Sequence, residues 1–286
     1  SIPAVENVVL VVNGTAGYEV GLELAIEQLE NEKAAKIVLV NRMDNEHADF
    51  QKTLDTIYEN AGFNPIPVHI PIGKESTFEG VVDVIRQKAI LPGGEKDIPA
   101  DMQSTIAEAH QKLMEAIAET DEELLNDFLE KGELSEEQLI NGMRKALANG
   151  EICVAFACSA LTGVGVMAFL DAVEKYLPSP EDVNPISVLR KGEPAEFIAS
   201  PDGELLGYVF KLYADPTMGD YAYLRLFSGS LKTGMDFSIP EKGVKERAGN
   251  IYYMLGKNGE DAQELKAGEI GAKKKKKNTR ALNTIT

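Results

Sequence analysis

Hydrophobic positions in the first third of the chain alternate between two patterns. Val8–Val12 is an unbroken run of valine and leucine, ended by Asn13-Gly14. Such a run predicts a strand buried on both faces of a parallel sheet. Leu22, Ile26 and Leu29 follow at spacings of four and three, which puts them on one face of a helix. Ile37–Val40 predicts a second buried strand and runs directly into Asn41-Arg42-Met43-Asp44. Over Asp49–Asn60 the helical spacing returns, with Phe50, Leu54 and Ile57 on one face and Gly62 as a stop. Ile66–Ile72 and Phe78–Ile90 read as short strand-like pieces punctuated by Gly and Pro. Residues 99–149 are helical and acidic, with capping boxes expected at Thr120/Glu123 and Ser135/Gln138. Ile152–Ala157 then resumes the buried-strand character. Val166–Tyr176 predicts an amphipathic helix carrying Phe169, Leu170, Val173 and Leu177 near one face, stopped by Pro178. The sum is an α/β domain interrupted by an α+β insert.

Pro178–Pro185 has the composition of a linker. Beyond it the period becomes two. Tyr208–Tyr213, Ala222–Phe227 and Gly249–Leu255 are short strands between Gly-rich turns, the signature of a small all-β barrel. Lys273–Lys277 breaks that alternation. Five like charges in a row repel one another, and a solvated loop is expected there.

A length of 286 residues agrees with two domains. The apolar runs fall far short of the roughly 20 residues that a membrane span needs, and the N-terminus lacks the pattern of a secretory signal. Cys153 and Cys158 lie too far apart along a strand to bond to each other, and free thiols fit a reducing compartment such as the cytoplasm. The net charge of −17 is unevenly spread: residues 1–186 carry −20 and residues 187–286 carry +3. The acidic part repels phosphates, so bulk charge argues against DNA; on composition the acidity serves solubility, and a basic protein partner is the functional alternative. His47, His69 and His110 show no zinc-ligand spacing, and core or loop roles are expected for them and for the cysteines.

Two loops carry candidate chemistry, because ligands of open α/β sheets bind beyond the carboxyl ends of strands. Asn41-Arg42-Met43-Asp44 is an Asn-Lys-x-Asp type motif with Arg in place of Lys. The Asp44 carboxylate can accept from N1–H and the exocyclic amine of guanine, a pair that adenine does not offer. Asn41 can donate to N7 and brace neighbouring loops, and the Arg42 side chain can lie on the base. Ser159-Ala160-Leu161 follows the strand ending near Cys158. A backbone N–H of that turn can meet guanine O6, with the serine reaching toward the aspartate side.

With these motifs in place, the chain resembles translation elongation factor G over essentially its whole length. Asn41–Asp44 looks like the fourth GTPase motif and Ser159–Leu161 like the fifth. Pro71–Val84 is similar to the factor's characteristic insert, and Tyr176-Leu177-Pro178-Ser179-Pro180 to the exit of its G domain. Ala214-Asp215-Pro216, Arg225–Leu231 and Leu265–Gly271 resemble its second-domain barrel. The Asn13–Gly21 region looks closer to a divergent paralogue. The resemblance implies an incomplete P-loop-GTPase-like α/β domain over residues 1–180, with a G′ insert at about 67–151, and a domain II β-barrel over 181–286. It further implies a ribosome-dependent GTPase of translocation or ribosome recycling. GTP or GDP would be its nucleotide, and ribosomal RNA and stalk proteins its partners. The stalk would meet the acidic insert, which carries Glu119, Asp121, Glu122, Glu123, Asp127, Glu130, Glu133, Glu136 and Glu137.

No Gly-x-x-x-x-Gly-Lys-Ser/Thr occurs, and no Asp-x-x-Gly precedes Val8. Catalytic residues and Mg2+ ligands are therefore expected only in a longer protein, of which this chain is a piece, inactive alone. Arg42 in place of the family's lysine preserves stacking on the base but leaves the lysine's contacts to a phosphate loop unaccounted for. Two alternatives remain open: a non-hydrolysing module binding the ribosome or its stalk, and a sibling factor such as a ribosome-protection protein or release factor three.

Overall fold

The computed structural model describes residues 2–29, 32, 34–183, 185–190, 192–215, 219–256 and 258–286. They form two compact units. One comprises Glu6–Asp182 with Ile2, the other Val183–Thr286 with Pro3–Val5.

The larger unit begins with β1 (Asn7–Asn13), α1 (Val20–Leu29), β2 (Ala35–Asn41), α2 (Phe50–Ala61) and β3 (Pro65–Pro67). An inserted stretch follows: β4 (His69–Ile72), β5 (Gly80–Asp83), β6 (Lys88–Leu91), β7 (Gly94–Lys96), then α3 (Gln103–Ala118), α4 (Glu122–Lys131) and α5 (Glu136–Ala148). The chain returns through β8 (Cys153–Ala157) and α6 (Val166–Tyr176). The main sheet has the order β1-β2-β8-β3, and every neighbouring pair is parallel. Asn13 lies opposite Asn41, and Val40 opposite Ala157. The carboxyl ends of three strands therefore share one edge of the sheet.

The apolar runs of β2 and β8 are explained by their central places, where Ile37, Val38, Val40 and all of Cys153–Ala157 are buried. The expectation for β1 needs correction. Leu10 and Val12 are buried, but Val9 and Val11 are 37% and 62% exposed. As the first strand in the sheet order, β1 has a neighbour on one side only. Helix α2 ends as its sequence suggests, with Gly62 in the left-handed conformation at φ 72°.

The strand-like piece 66–72 divides between two sheets. β3 joins the parallel sheet, and β4 begins the antiparallel meander β4-β5-β6-β7. The insert helices share a core with the main sheet: Leu113, Ile117, Leu139 and Met143 cluster with Ile37, Val154 and Phe156. Ser135 and Gln138 form the expected capping box of α5. The box expected at Thr120 does not form. Asp121, one residue later, accepts from the amides of Glu123 and Leu124, while Thr120 Oγ1 donates back to the Ile117 carbonyl. Helix α6 also presents a different face from the expected one. Ala168, Phe169, Ala172 and Tyr176 are buried, and Leu170 and Val173 face outward. Ala168 clusters with Ala157, and Ala172 with Phe156, both of β8.

The smaller unit is all β. It contains β9 (Ile186–Arg190), β10 (Glu193–Phe197), β11 (Leu206–Asp215), β12 (Gly219–Ser228), β13 (Ser230–Lys232), β14 (Asp236–Ile239), β15 (Val244–Arg247), β16 (Ile251–Leu255), β17 (Asn258–Ala262), β18 (Glu264–Lys266), β19 (Ile270–Lys274) and β20 (Thr284–Ile285). A six-stranded sheet, β17-β16-β19-β12-β11-β20, is joined by the pairs β9–β10, β13–β18 and β14–β15. Val209, Leu224, Leu226, Phe237, Ile251 and Leu265 fill its interior. Pro216 of the Ala214–Pro216 stretch lies outside the described residues.

The lysine run is not a solvated loop throughout. Lys273 and Lys274 belong to β19, and Lys273, opposite Ala222, is fully buried. Its Nζ donates to Thr279 Oγ1 at 2.8 Å, lies 3.7 Å from Glu246 Oε2 and sits over the Phe237 ring. Burial pulls its pKa down to about 8, against the attraction of Glu246. The strand's period of two forces this side chain inward, and the interior supplies one carboxylate and one hydroxyl to receive it.

Candidate functional site

The two candidate loops meet at the carboxyl edge of the main sheet. Asn41 ends β2, and its side chain joins them. Asn41 Oδ1 accepts from the Arg42 amide at 2.7 Å and from the Ala160 amide at 2.9 Å, with the Cys158 thiol 3.6 Å away. Backbone bonds reinforce the seam. Cys158 N–H donates to the Val40 carbonyl, and Met43 N–H to the Cys158 carbonyl. The Gly14 amide, from the turn after β1, donates to the Asn41 carbonyl at 2.9 Å. Three strand ends are thus tied into one rim.

Along the first loop, Arg42 is exposed and adopts φ 64°, and Met43 is buried at 1% exposure. Met43 packs with Ala48, Phe50 and Phe78. Next to Met43, Asp44 is half-buried, and its Oδ1 is sealed from solvent with no hydrogen-bond donor among the described residues. The Asn45 amide closes the turn on the Arg42 carbonyl, the Asp49 amide donates to the Gly14 carbonyl, and Asp49 Oδ1 caps α2 through the Lys52 amide.

In the second loop, Ser159 is fully buried, and Ala160 and Leu161 are exposed, Leu161 at 86%. Ser159 Oγ accepts from the Thr162 amide at 3.2 Å, within its own turn. Two expected contacts therefore differ. The Ala160 N–H, expected to point at a ligand, is taken by Asn41. The Ser159 hydroxyl, expected to reach the aspartate, makes no hydrogen bond to Asp44 among the described residues. In both cases a nearer partner within the loops competes for the group.

A third segment reaches the rim that no sequence spacing signalled. The insert turn after β4 brings Glu75 Oε1 within 2.8 Å of the His47 amide. Its only trace in the sequence is the compact Gly73–Gly80 stretch with its glycines at both ends.

The remaining reactive side chains lie elsewhere. Burial pushes the Cys153 thiol up to about 12 and the Cys158 thiol up to about 11, so both stay protonated and unreactive at neutral pH. His110 Nδ1 pairs with the Val84 carbonyl at 2.8 Å. His69 is buried edge-on to Phe156, neither ring nitrogen has a hydrogen-bond partner among the described residues, and burial lowers its pKa to about 4. Next to it, Asp83 accepts from Tyr176 Oη at 2.6 Å and Arg86 Nε at 3.0 Å. Among the described residues no group of three or more His, Cys, Asp or Glu could hold a metal ion.

Residues 1–179 match the family model of the elongation factor Tu GTP-binding domain. The chain belongs to that family of translational GTPase domains. Residues 204–285, spanning β11–β20, match the model of elongation factor G domain 2. The chain is also similar to a solved structure from Thermus thermophilus, with 28% sequence identity and a TM-score of 0.82. The match covers 99% of this chain and 41% of that one, so the translation-factor domains described here span less than half of that relative's length. The fold is accordingly a GTPase-like α/β domain followed by a β-rich second domain. Within it, the Asn41–Asp44 and Ser159–Leu161 loops occupy the carboxyl edge of the sheet, where doubly wound α/β folds bind ligands. No described helix is long and apolar enough to cross a membrane.

Proposed function

We propose that the chain is the rear part of the GTP-binding domain, with its insert and the following barrel, of an elongation factor G-like translational GTPase acting on the ribosome. In this reading residues 1–180 are the G-domain portion, 67–151 the G′ insert and 181–286 domain II. The rim formed by Asn41, Arg42, Asp44, Ser159, Ala160 and Leu161 reads the guanine of GTP or GDP.

One observation carries the base assignment: a carboxylate oxygen at the rim, Asp44 Oδ1, is shielded from water and has no donor among the described residues. Buried acceptors without partners are rare in native proteins. The N1–H and N2 amine of guanine are donors of the matching kind, so the residues present fit this ligand. Asn41 positions the rim, because its side chain bridges both loops. The Arg42 guanidinium is free to stack on the base. A bound nucleotide's phosphates and Mg2+ have no cradle in this sequence, which contains no Walker-type glycine loop. The chain alone therefore recognises the base and hydrolyses nothing.

The insert supports the partner reading. Glu119, Glu122, Glu123, Glu130, Glu133, Glu136 and Glu137 lie on and around α4 and α5, and most of them are exposed. Asp121 and Asp127 of the same run are engaged by Lys145 and Lys131. In this reading the stalk meets the insert, and an acidic helical surface of this kind speeds encounter with a basic patch on its partner.

The test is Asp44→Asn. Asparagine keeps one acceptor and turns the second into a donor, which matches the N1–H and O2 of xanthine. The substitution is expected to weaken guanosine binding at least tenfold, by roughly the worth of one hydrogen bond to a charged group, and to strengthen xanthosine binding. Titration of both nucleosides by NMR chemical shifts measures this. Unchanged affinities for both count against the rim as a base site.

A further inference from the structure

We propose that Glu75, from the insert, is a positioning residue for base recognition: its carboxylate holds the His47 end of the Arg42–His47 loop and so aims Asp44. The inference rests on the base-site reading above and adds a residue that lies outside both loop motifs.

The geometry begins with strain. Among the described residues, five non-glycine positions have positive φ, and three of them, Arg42 at 64°, His47 at 66° and Glu75 at 52°, belong to this one place. Side chains with a Cβ disfavour that region by roughly 1 kcal/mol or more each, so such conformations persist only where surrounding contacts hold them. The loop is left-handed at both its ends, with Asp44 between them. At the near end Asn41 Oδ1 takes the Arg42 amide and Met43 is buried. At the far end the His47 side chain is 82% exposed and lies 3.9 Å from the carboxylate of its exposed neighbour Glu46. Beside the buried Ala48, whose amide donates to the Asn45 carbonyl, the His47 amide ties this end to the insert by donating to Glu75 Oε1 at 2.8 Å. An amide bonded to a carboxylate is a charge-assisted contact, stronger than its neutral counterpart.

Glu75 is itself built on a rigid platform. The turn Lys74–Thr77 closes on itself: Thr77 Oγ1 accepts from the Lys74 amide at 3.1 Å and donates to its carbonyl at 2.7 Å. Gly73, at φ 75°, approaches the Thr77 carbonyl so closely that a Cβ would collide with it. Phe78 anchors the turn in the cluster that contains Met43, Ala48 and Phe50. The insert turn and the base loop thus share one core, and a displacement of the insert turn shifts the loop carrying Asp44.

Glu75→Gln keeps an acceptor oxygen, and Glu75→Ala removes it. Two readouts are taken on the whole chain: hydrogen exchange of the amides of residues 42–48, which needs no ligand, and the preference for guanosine over inosine, which lacks the N2 amine that Asp44 must meet. For Glu75→Ala the expected result is about tenfold faster exchange at His47 and about a tenfold loss of guanosine preference, with thermal unfolding unchanged. Glu75→Gln is expected to stay within about twofold of the parent in both. Exchange at His47 unaltered in Glu75→Ala overturns the proposal. A guanosine preference that responds to Asp44→Asn but not to Glu75→Ala also overturns it and leaves the base site standing. A preference that responds to neither variant removes the base-site reading and this role together.

Discussion

At the scale of single residues, the chemistry depends on which polar groups find partners. Asn41 is legible in the sequence as part of an Asn-x-x-Asp spacing. Its bridging of the Ala160 amide is not, because that contact joins positions more than a hundred residues apart. His69 gives the contrary case. A core or loop role is expected for it, and it is indeed sealed beside Phe156, but the sequence did not signal that neither ring nitrogen finds a partner among the described residues. Its folded pKa of about 4 lies below the ordinary 6.5. Between those values the unfolded chain binds the proton and the folded chain does not, so stability falls as the pH drops from about 6.5 toward 4. The full shift corresponds to about 3 kcal/mol. Urea unfolding across that range is expected to show this slope in the parent and a flatter one in His69→Leu. An identical slope in the variant would assign the acid sensitivity to other groups.

At the scale of elements, periodicity located the strands and helices of the parallel sheet and three strands of the second unit, while ends and faces followed from local competition. The α4 cap illustrates this. Thr120 has the spacing of a capping box, but Asp121 stands one residue closer to the amides and its carboxylate is the stronger acceptor. Asp121→Ala is therefore expected to lower the melting temperature by a few degrees, and Thr120→Ala by clearly less. Differential scanning calorimetry of the two variants decides it, and equal effects would favour the threonine cap. Helix α6 makes the same point about faces. Leu170 and Val173 have the hydrophobicity of core residues, but the alanine-lined side fits against the sheet. Lys273 shows that a strand's alternation outranks side-chain polarity. Once β19 is in register, its position faces inward, and Glu246 and Thr279 receive the ammonium.

At the scale of the molecule, the division into a parallel α/β unit and an all-β unit is visible in the change of hydrophobic period and in the opposite net charges of the two parts. The whole chain also sets what a nucleotide can gain here. If the rim reads guanine as proposed, GDP and guanosine are expected to bind with similar affinity, within about threefold, because the sequence contains no glycine loop of the kind that contributes phosphate affinity. Isothermal calorimetry of the two ligands reads this directly. GDP binding tighter by about a hundredfold would reveal a phosphate site among residues that no motif marks.

Spacing along the chain and the chemistry of single side chains were enough to read the two architectures, the element order of the parallel sheet and the two loop motifs. Tertiary structure alone decided that Asn41 commits its acceptor to Ala160, that Glu75 of the insert meets His47, that one face of β1 is uncovered and that Lys273 is enclosed. Each of these depends on which distant segments become neighbours. That is settled by sheet order and by packing into shared cores, for which a linear pattern carries no coordinate.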